Sequence, residues 1–303
     1  MRSPHTVPLP GAPVAARVDA ETRDLVAAAR AAGAPPPRVV AVAASAERAV
    51  TAYLESLARK AADLGVRFES ALVEDATTGS LLARIDSLNR DREVTGILVQ
   101  LPLPDGVDAR AVQESIDPGK DVEGVTPANL GRLFLGRPRL APCTALAVME
   151  MIAESRLPLR GVEAVVIGKS EIVGKPVAVL LLDRFATVTV CHIATRNVAE
   201  IAARADVLVS ATGKAHLVGR EHVKPGALVI DVGYARIPDA PDASGKPRYR
   251  VVGDVKQEEM EGRAAMLTPV PGGVGPVTVS MLFRNAAGAA LPDWRPRLPA
   301  DGR

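Results

Sequence analysis

The chain has 303 residues, a formal net charge of +2 and 48% hydrophobic residues. That is enough for one large or two modest α/β domains with a real core, and it supplies no basic field of the kind nucleic-acid binding needs. Cys143 and Cys191 stand far apart without metal-ligand spacing, which argues against a disulfide framework or a metal site and fits a reducing cytosol. No apolar h-region or membrane-length apolar run occurs, so a cytoplasmic protein with no membrane partner is expected.

In chain order, residues 1–20 mix Pro, Gly and Ala and read as a loose leader. Residues 18–32 form an Ala- and Arg-rich helix, stopped by Gly33 and three prolines. A Val-rich strand over 38–44 leads to a helix over 46–64, which Gly65 ends. Strands at 68–73 and 96–101 flank a helix over 81–90. The second half repeats this alternation. Strands fall at 164–167, 187–191, 206–210 and 228–232, and helices at 177–183 and 198–204, with a polar surface loop over 238–248. Such alternation implies parallel sheets built from βαβ units, with the second half of dinucleotide-binding type and a boundary near Pro142.

The stretch from Gly168 to Pro176 follows a strand and opens a helix. Gly168 permits a tight turn and Gly174 a close helix–sheet approach, leaving N–H groups at the helix start free for a pyrophosphate. An ordinary βα loop reads the same way, because the spacing is not G-x-G-x-x-G. The end of the next strand, Cys191-His192-Ile193, lacks the carboxylate that grips a ribose 2′-hydroxyl in NAD enzymes. Lys169 and Arg196 place positive charge there instead, which favours NADP over NAD. Arg196 as a solvated surface cation is the competing reading.

Three stretches point beyond a generic fold: GILVQLPLP (96–104), IGKSEIVGKP (167–176) and TPVPGGVGPVT (268–278). With KDVEGVTPANLGRL (120–133), APCT (141–144), VIDVG (229–233) and VVGDV (251–255), they resemble the methylenetetrahydrofolate dehydrogenase/cyclohydrolase family over residues 38–288. The resemblance implies two α/β domains with a cleft between them, the second a Rossmann-type parallel sheet. Residues 1–145 plus 276–303 would form the folate-binding catalytic domain and 146–275 the dinucleotide-binding domain. It further implies a tetrahydrofolate derivative as substrate, NADP as cofactor (NAD being the alternative) and a homodimer.

By the same resemblance, Gly168, Lys169, Ser170, Ile172, Val173, His192, Arg196, Thr212 and Gly233 would bind cofactor. Tyr53, Gln100, Leu101, Glu123, Pro271, Gly272 and Gly273 would bind substrate, with Tyr53, Gln100 and Glu123 also catalytic. Three Pro and three Gly in 268–278 make a rigid, side-chain-poor backbone suited to flat ligands.

Two positions depart from the family pattern. The Lys expected four residues after Tyr53, one turn along the same helix face, is Leu57; the pterin-binding Asp is Glu123, one methylene longer. Hydride transfer removes no proton, whereas hydration and ring opening use a general acid–base group. The expectation is therefore a dehydrogenase with severely reduced cyclohydrolase activity. Lys60, on nearly the same face, is the one nearby candidate to replace the missing group. A paralogue that binds folate or nucleotide without turnover, or an oxidoreductase of changed substrate, are the competing functions.

Overall fold

A computed structural model describes residues 5–240, 248–291 and 293–296. They form two compact units, residues 5–15 with 144–278 and residues 16–143 with 279–296. The expected surface loop over 238–248 lies largely outside the described residues; its edges, Pro238, Asp239 and Arg248, are in strands.

The start of the chain is not a loose leader. Strand β1 (Val7–Pro8) pairs in parallel with residues 266–267, and the Thr6 hydroxyl donates to the carbonyls of Met260 and Ala264. These bonds place residues 5–15 in the second-half unit rather than in the expected 1–145 domain. Helix α1 (Gly11–Ala31) then begins seven residues before its expected start. Pro13 is no obstacle, because the first helical turn has N–H groups without intrahelical acceptors anyway. Gly11 is required here: a Cβ would lie 1.8 Å from the Gly273 carbonyl oxygen.

In the unit of residues 16–143 and 279–296, β2 (Arg38–Ala43) is the middle of a three-stranded parallel sheet of order β3-β2-β4. Helix α2 (Arg48–Asp63) buries Leu54, Leu57 and Ala61 at helical spacing and stops before Gly65, whose φ of 73° lets the chain turn. Strand β3 (Arg67–Leu72), helix α3 (Thr78–Arg90) and strand β4 (Gly96–Val99) follow, with the Thr77 and Ser80 side chains capping α3 reciprocally. Val40, Val42, Ile97 and Val99 of the sheet pack on Leu81, Ile85 and Leu88 of α3.

Helices α4 (Ala109–Glu114), α5 (Pro127–Phe134) and α6 (Cys143–Glu154) were not anticipated. The first two are short, and α6 is apolar nearly all round, so it lacks a polar face from which to read a period.

The other unit carries a six-stranded parallel sheet. In chain order come β5 (Glu163–Ile167), α7 (Gly174–Leu182), β6 (Thr187–Cys191), α8 (Val198–Ala202), β7 (Val207–Ser210) and β8 (Leu228–Asp231). The antiparallel hairpin of β9 (Ala235–Asp239) and β10 (Arg248–Val252) precedes β11 (Met266–Leu267) and α9 (Val274–Ala289). The sheet order is β1-β11-β8-β7-β5-β6, so the chain leaves β5 first to one side and then to the other. That reversal is the Rossmann-type switch point, where ligands bind at the carboxyl ends of the strands. Val165, Ile167, Leu208 and Val229 build the core of this unit with Val218, Val223 and Met260.

Asn285 of α9 ties together the unit of residues 16–143 and 279–296: its Nδ2 donates to the carbonyls of Val122 (2.9 Å) and Ala141 (3.0 Å). Asn285→Ala leaves both carbonyls without this donor. It is expected to cost about 2 kcal/mol, a fall of roughly 3 °C in Tm for a chain of this size, read by thermal unfolding.

Candidate active site

On the substrate side, the unit of residues 16–143 and 279–296 carries Tyr53, Leu57, Gln100 and Glu123. Tyr53 projects from α2 with its residue 45% exposed, while Leu57, one turn later, is 1% exposed. Gln100 ends β4: its N–H donates to Val42, and its Nε2 donates to the carbonyl of Leu101, half-exposed beside it. Glu123 lies in a turn strapped to β4 by the Ile97 N–H, which donates to the Lys120 carbonyl at 2.7 Å.

Asp121 organises that turn. It is fully buried, and its carboxylate accepts from the Gly124 N–H (2.9 Å), the Thr126 N–H (2.8 Å) and the Asn129 amide (2.9 Å). Gly124 is obligatory, with φ of 69° and the place of a Cβ only 2.3 Å from the Ala141 backbone.

The electrostatics follow from this packing. Burial, and then the charge of Asp121, push Glu123 up to about 8, against the opposing help of the Val99 N–H. Tyr53 is raised by burial and then by Glu123 and Cys143, so the phenol, the acid and the thiol share one neighbourhood. Cys143, whose Sγ donates to the Val122 carbonyl at 3.3 Å, is held well above the usual thiol range, chiefly by burial. Lys60 does not join them. It is ion-paired with Asp19 of α1, so it is not the replacement for the missing Lys.

On the nucleotide side, Gly168 follows β5 with φ of 123°, and its N–H donates to Cys191 at 2.9 Å. A Cβ on Gly168 would meet the Ala211 carbonyl oxygen at 2.3 Å, and one on Gly174 the Gly168 carbonyl oxygen at 2.0 Å. Both glycines therefore do what the sequence demanded of them. The Ser170 hydroxyl accepts from the N–H groups of Val173 and Gly174 (3.2 and 3.3 Å), closing the loop over Ile172. Lys169, His192 and Arg196 are exposed, and neither Lys169 nor Arg196 forms an ion pair among the described residues. The His192 ring accepts from the Ala194 N–H through Nδ1, and its backbone N–H donates to the Thr195 hydroxyl. Pro271, Gly272 and Gly273 lie in this unit, just before α9; Gly272 has φ of 102° and its carbonyl accepts from the Gly11 N–H.

The sequence reading missed the two acids beneath this side. Asp231 accepts from the N–H groups of Gly233, Asp254 and Val255, and Asp254 from the Ser210 hydroxyl and the Thr212 N–H. Burial pushes Asp231 up to about 6 despite those donors. They fix the loops that carry Thr212 and Gly233. The signal was present as an Asp–Gly pair recurring in VIDVG and VVGDV, with the acid and glycine close by each time; a Cβ on Gly253 would strike Asp231, and one on Gly233 would strike Asp254.

Comparison with known proteins identifies the class. Residues 142–292 match the model of the tetrahydrofolate dehydrogenase/cyclohydrolase NAD(P)-binding domain, and residues 9–123 that of the same family's catalytic domain. The chain belongs to the tetrahydrofolate dehydrogenase/cyclohydrolase family. It is 48% identical over 250 residues to the bifunctional protein FolD of Rhodobacter capsulatus, covering 82% of each chain. To FolD 1 of Rubrobacter xylanophilus it is 44% identical over 283 residues, 93% of this chain and 96% of the relative. Among solved structures, the Trypanosoma brucei methylenetetrahydrofolate dehydrogenase-cyclohydrolase, complexed with NADP and an inhibitor, aligns with a TM-score of 0.87 at 38% identity, covering 94% of this chain and 97% of that one.

The raised Glu123 carries a stability prediction. Its folded value lies above the 4.5 of a free carboxyl, so between those values the folded protein holds more protons than the unfolded chain. Stability is thus lost as pH rises towards about 8. Glu123→Gln, which cannot ionise, is expected to gain thermal stability over the parent at pH 9 and to gain clearly less at pH 5. An equal difference at both pH values, read by paired melting curves, contradicts the assignment.

Proposed function

We propose that the chain oxidises 5,10-methylenetetrahydrofolate to 5,10-methenyltetrahydrofolate with NADP, as a cytoplasmic homodimer. The observation that carries this reading is the joint presence of two built half-sites in a chain of this family. One is a glycine corner at the switch point of a parallel sheet; the other is a half-exposed Tyr53 beside the half-buried acid Glu123. No helix among the described residues is long and apolar enough to cross a membrane, and both cysteines are free and buried.

The nucleotide fits the residues present. Gly168 and Gly174 leave backbone where a side chain would intrude, and Ser170 orders the start of α7, so N–H groups face the place of a pyrophosphate. No carboxylate follows β6 to repel a 2′-phosphate, and the exposed Lys169 and Arg196 supply cations without competing ion pairs. NADP, when bound, supplies the hydride acceptor.

On the folate side, the reaction leaves a cation shared by two nitrogens and removes no proton, so positioning and electrostatics suffice. Tyr53 offers its ring to the pterin, Gln100 and Leu101 border it, and Glu123 receives its polar edge. Pro271, Gly272 and Gly273, in the nucleotide unit, offer side-chain-poor backbone suited to a flat ligand. In this reading residues 1–145 with 276–303 supply folate binding, except that residues 5–15 fold with the nucleotide unit.

A second observation favours a dehydrogenase with weak hydrolytic activity. Leu57 is buried and carries no proton, and Lys60 is held by Asp19. Loss of a general acid–base group slows such a step by about 10²–10⁴-fold. Purified protein is expected to reduce NADP with methylenetetrahydrofolate, faster than NAD, while hydrolysing methenyltetrahydrofolate slowly. Leu57→Lys should raise hydrolysis at least tenfold without a matching rise in hydride transfer. Fast hydrolysis by the parent protein would refute this second reading, and absence of cofactor reduction the first.

A further inference from the structure

Among the described residues Glu123 forms no ion pair. Lys120, three residues away, spends its three N–H donors on the carbonyls of Leu88 (2.9 Å), Asn89 (2.7 Å) and Asp91 (2.6 Å). Arg284 of α9 is ion-paired with Glu21 at 3.4 Å, and Lys60 of α2 is paired with Asp19. The position one turn from Tyr53 is Leu57. The other titratable groups that face this neighbourhood are Asp121 in the same turn, Tyr53 on α2 and Cys143 at the start of α6. All three are neutral or negative.

Asp121 cannot relieve the problem by moving. Three N–H donors hold its carboxylate, and the Gly124 turn, wedged against the Ala141 backbone, fixes the two-residue separation between the acids. Glu123 therefore sits partly buried, next to a fixed acid, and the cations of its own turn and of α2 and α9 named above are committed to other partners. A charged carboxylate there is costly until something outside the protein compensates it.

We propose that Glu123 carries a proton while the site is empty and releases it to solvent when a ligand edge bearing N–H donors docks, making folate binding and proton release one event. This rests on the folate reading and deepens it. The balance is simple: the carboxylic O–H bond breaks, the proton passes to buffer, and the carboxylate so formed accepts from the ligand's N–H groups. A neutral acid offers one donor and one acceptor, whereas the ionised acid offers acceptors only. The site thus discriminates in favour of a two-donor edge, such as the 2-amino and ring N–H of a pterin, over an edge with mixed polarity. Affinity for such a ligand rises with pH below the value of about 8 held by Glu123 and levels off above it.

The test is calorimetric titration of the full-length protein with tetrahydrofolate under anaerobic conditions, in two buffers of different ionisation enthalpy. At pH 7 close to one proton should be released per ligand bound, falling towards zero at pH 9.5, and Glu123→Gln should release almost none at pH 7. If that variant does not bind, infrared spectroscopy decides: the parent at pH 6.5 should show a protonated carboxyl stretch that vanishes on adding tetrahydrofolate and is missing from the variant. Binding at pH 7 without proton release, or a parent spectrum without that band, overturns the proposal and leaves the folate reading intact. Absence of any binding heat from the parent overturns both.

Discussion

The grip of three N–H donors on the Asp121 carboxylate is the interaction from which the substrate side is built. It closes the turn between α4 and α5, sets Gly124 against the Ala141 backbone and fixes where Glu123 can be. A saturated buried acid is stable because its oxygens exchange water for protein donors. The acid two residues later has no such set of donors, and that asymmetry separates the two carboxyl groups into a structural one and a responsive one.

The nucleotide side repeats the device with different parts. Asp231 and Asp254 collect N–H and O–H donors from the ends of β7 and β8 and from the return of the β9–β10 hairpin. Each acid occupies space that a glycine leaves open, at Gly253 and Gly233 respectively. Acid and glycine are one unit here, and the glycine turn after β5 stands on a rim already made rigid. In both units, then, buried carboxylates fix the backbone of the loops that carry the proposed site residues.

Replacement of one cation by Leu57 changes the chemistry available without disturbing the helix that carries it. Leu57 continues the buried face set by Leu54 and Ala61, so the substitution adds apolar burial to α2. Relative to the Lys that the family resemblance leads one to expect there, it lacks a mobile proton and a positive charge, and Lys60, Lys120 and Arg284 are each engaged elsewhere. In the proposed reading hydride transfer tolerates that loss, because its transition state needs no proton, whereas hydrolysis is slowed by it.

The sequence by itself determined the parallel α/β class, the glycine corner at Gly168 and Gly174, and the departure at Leu57. Strand–helix alternation and backbone conformation are local properties, readable from Val-rich runs and from glycines at strand ends. The start of the chain was misread because Val7, Pro8 and Leu9 gain their strand partners from residues some 260 positions away, which no local pattern reveals. Helix α6 was missed because burial on all sides erases the periodicity that marks a half-buried helix. The commitment of Lys60 to Asp19, of Lys120 to three carbonyls and of Arg284 to Glu21 was decided only by tertiary structure. A cation's availability depends on which acceptors the fold brings within reach, and sequence spacing does not carry that information.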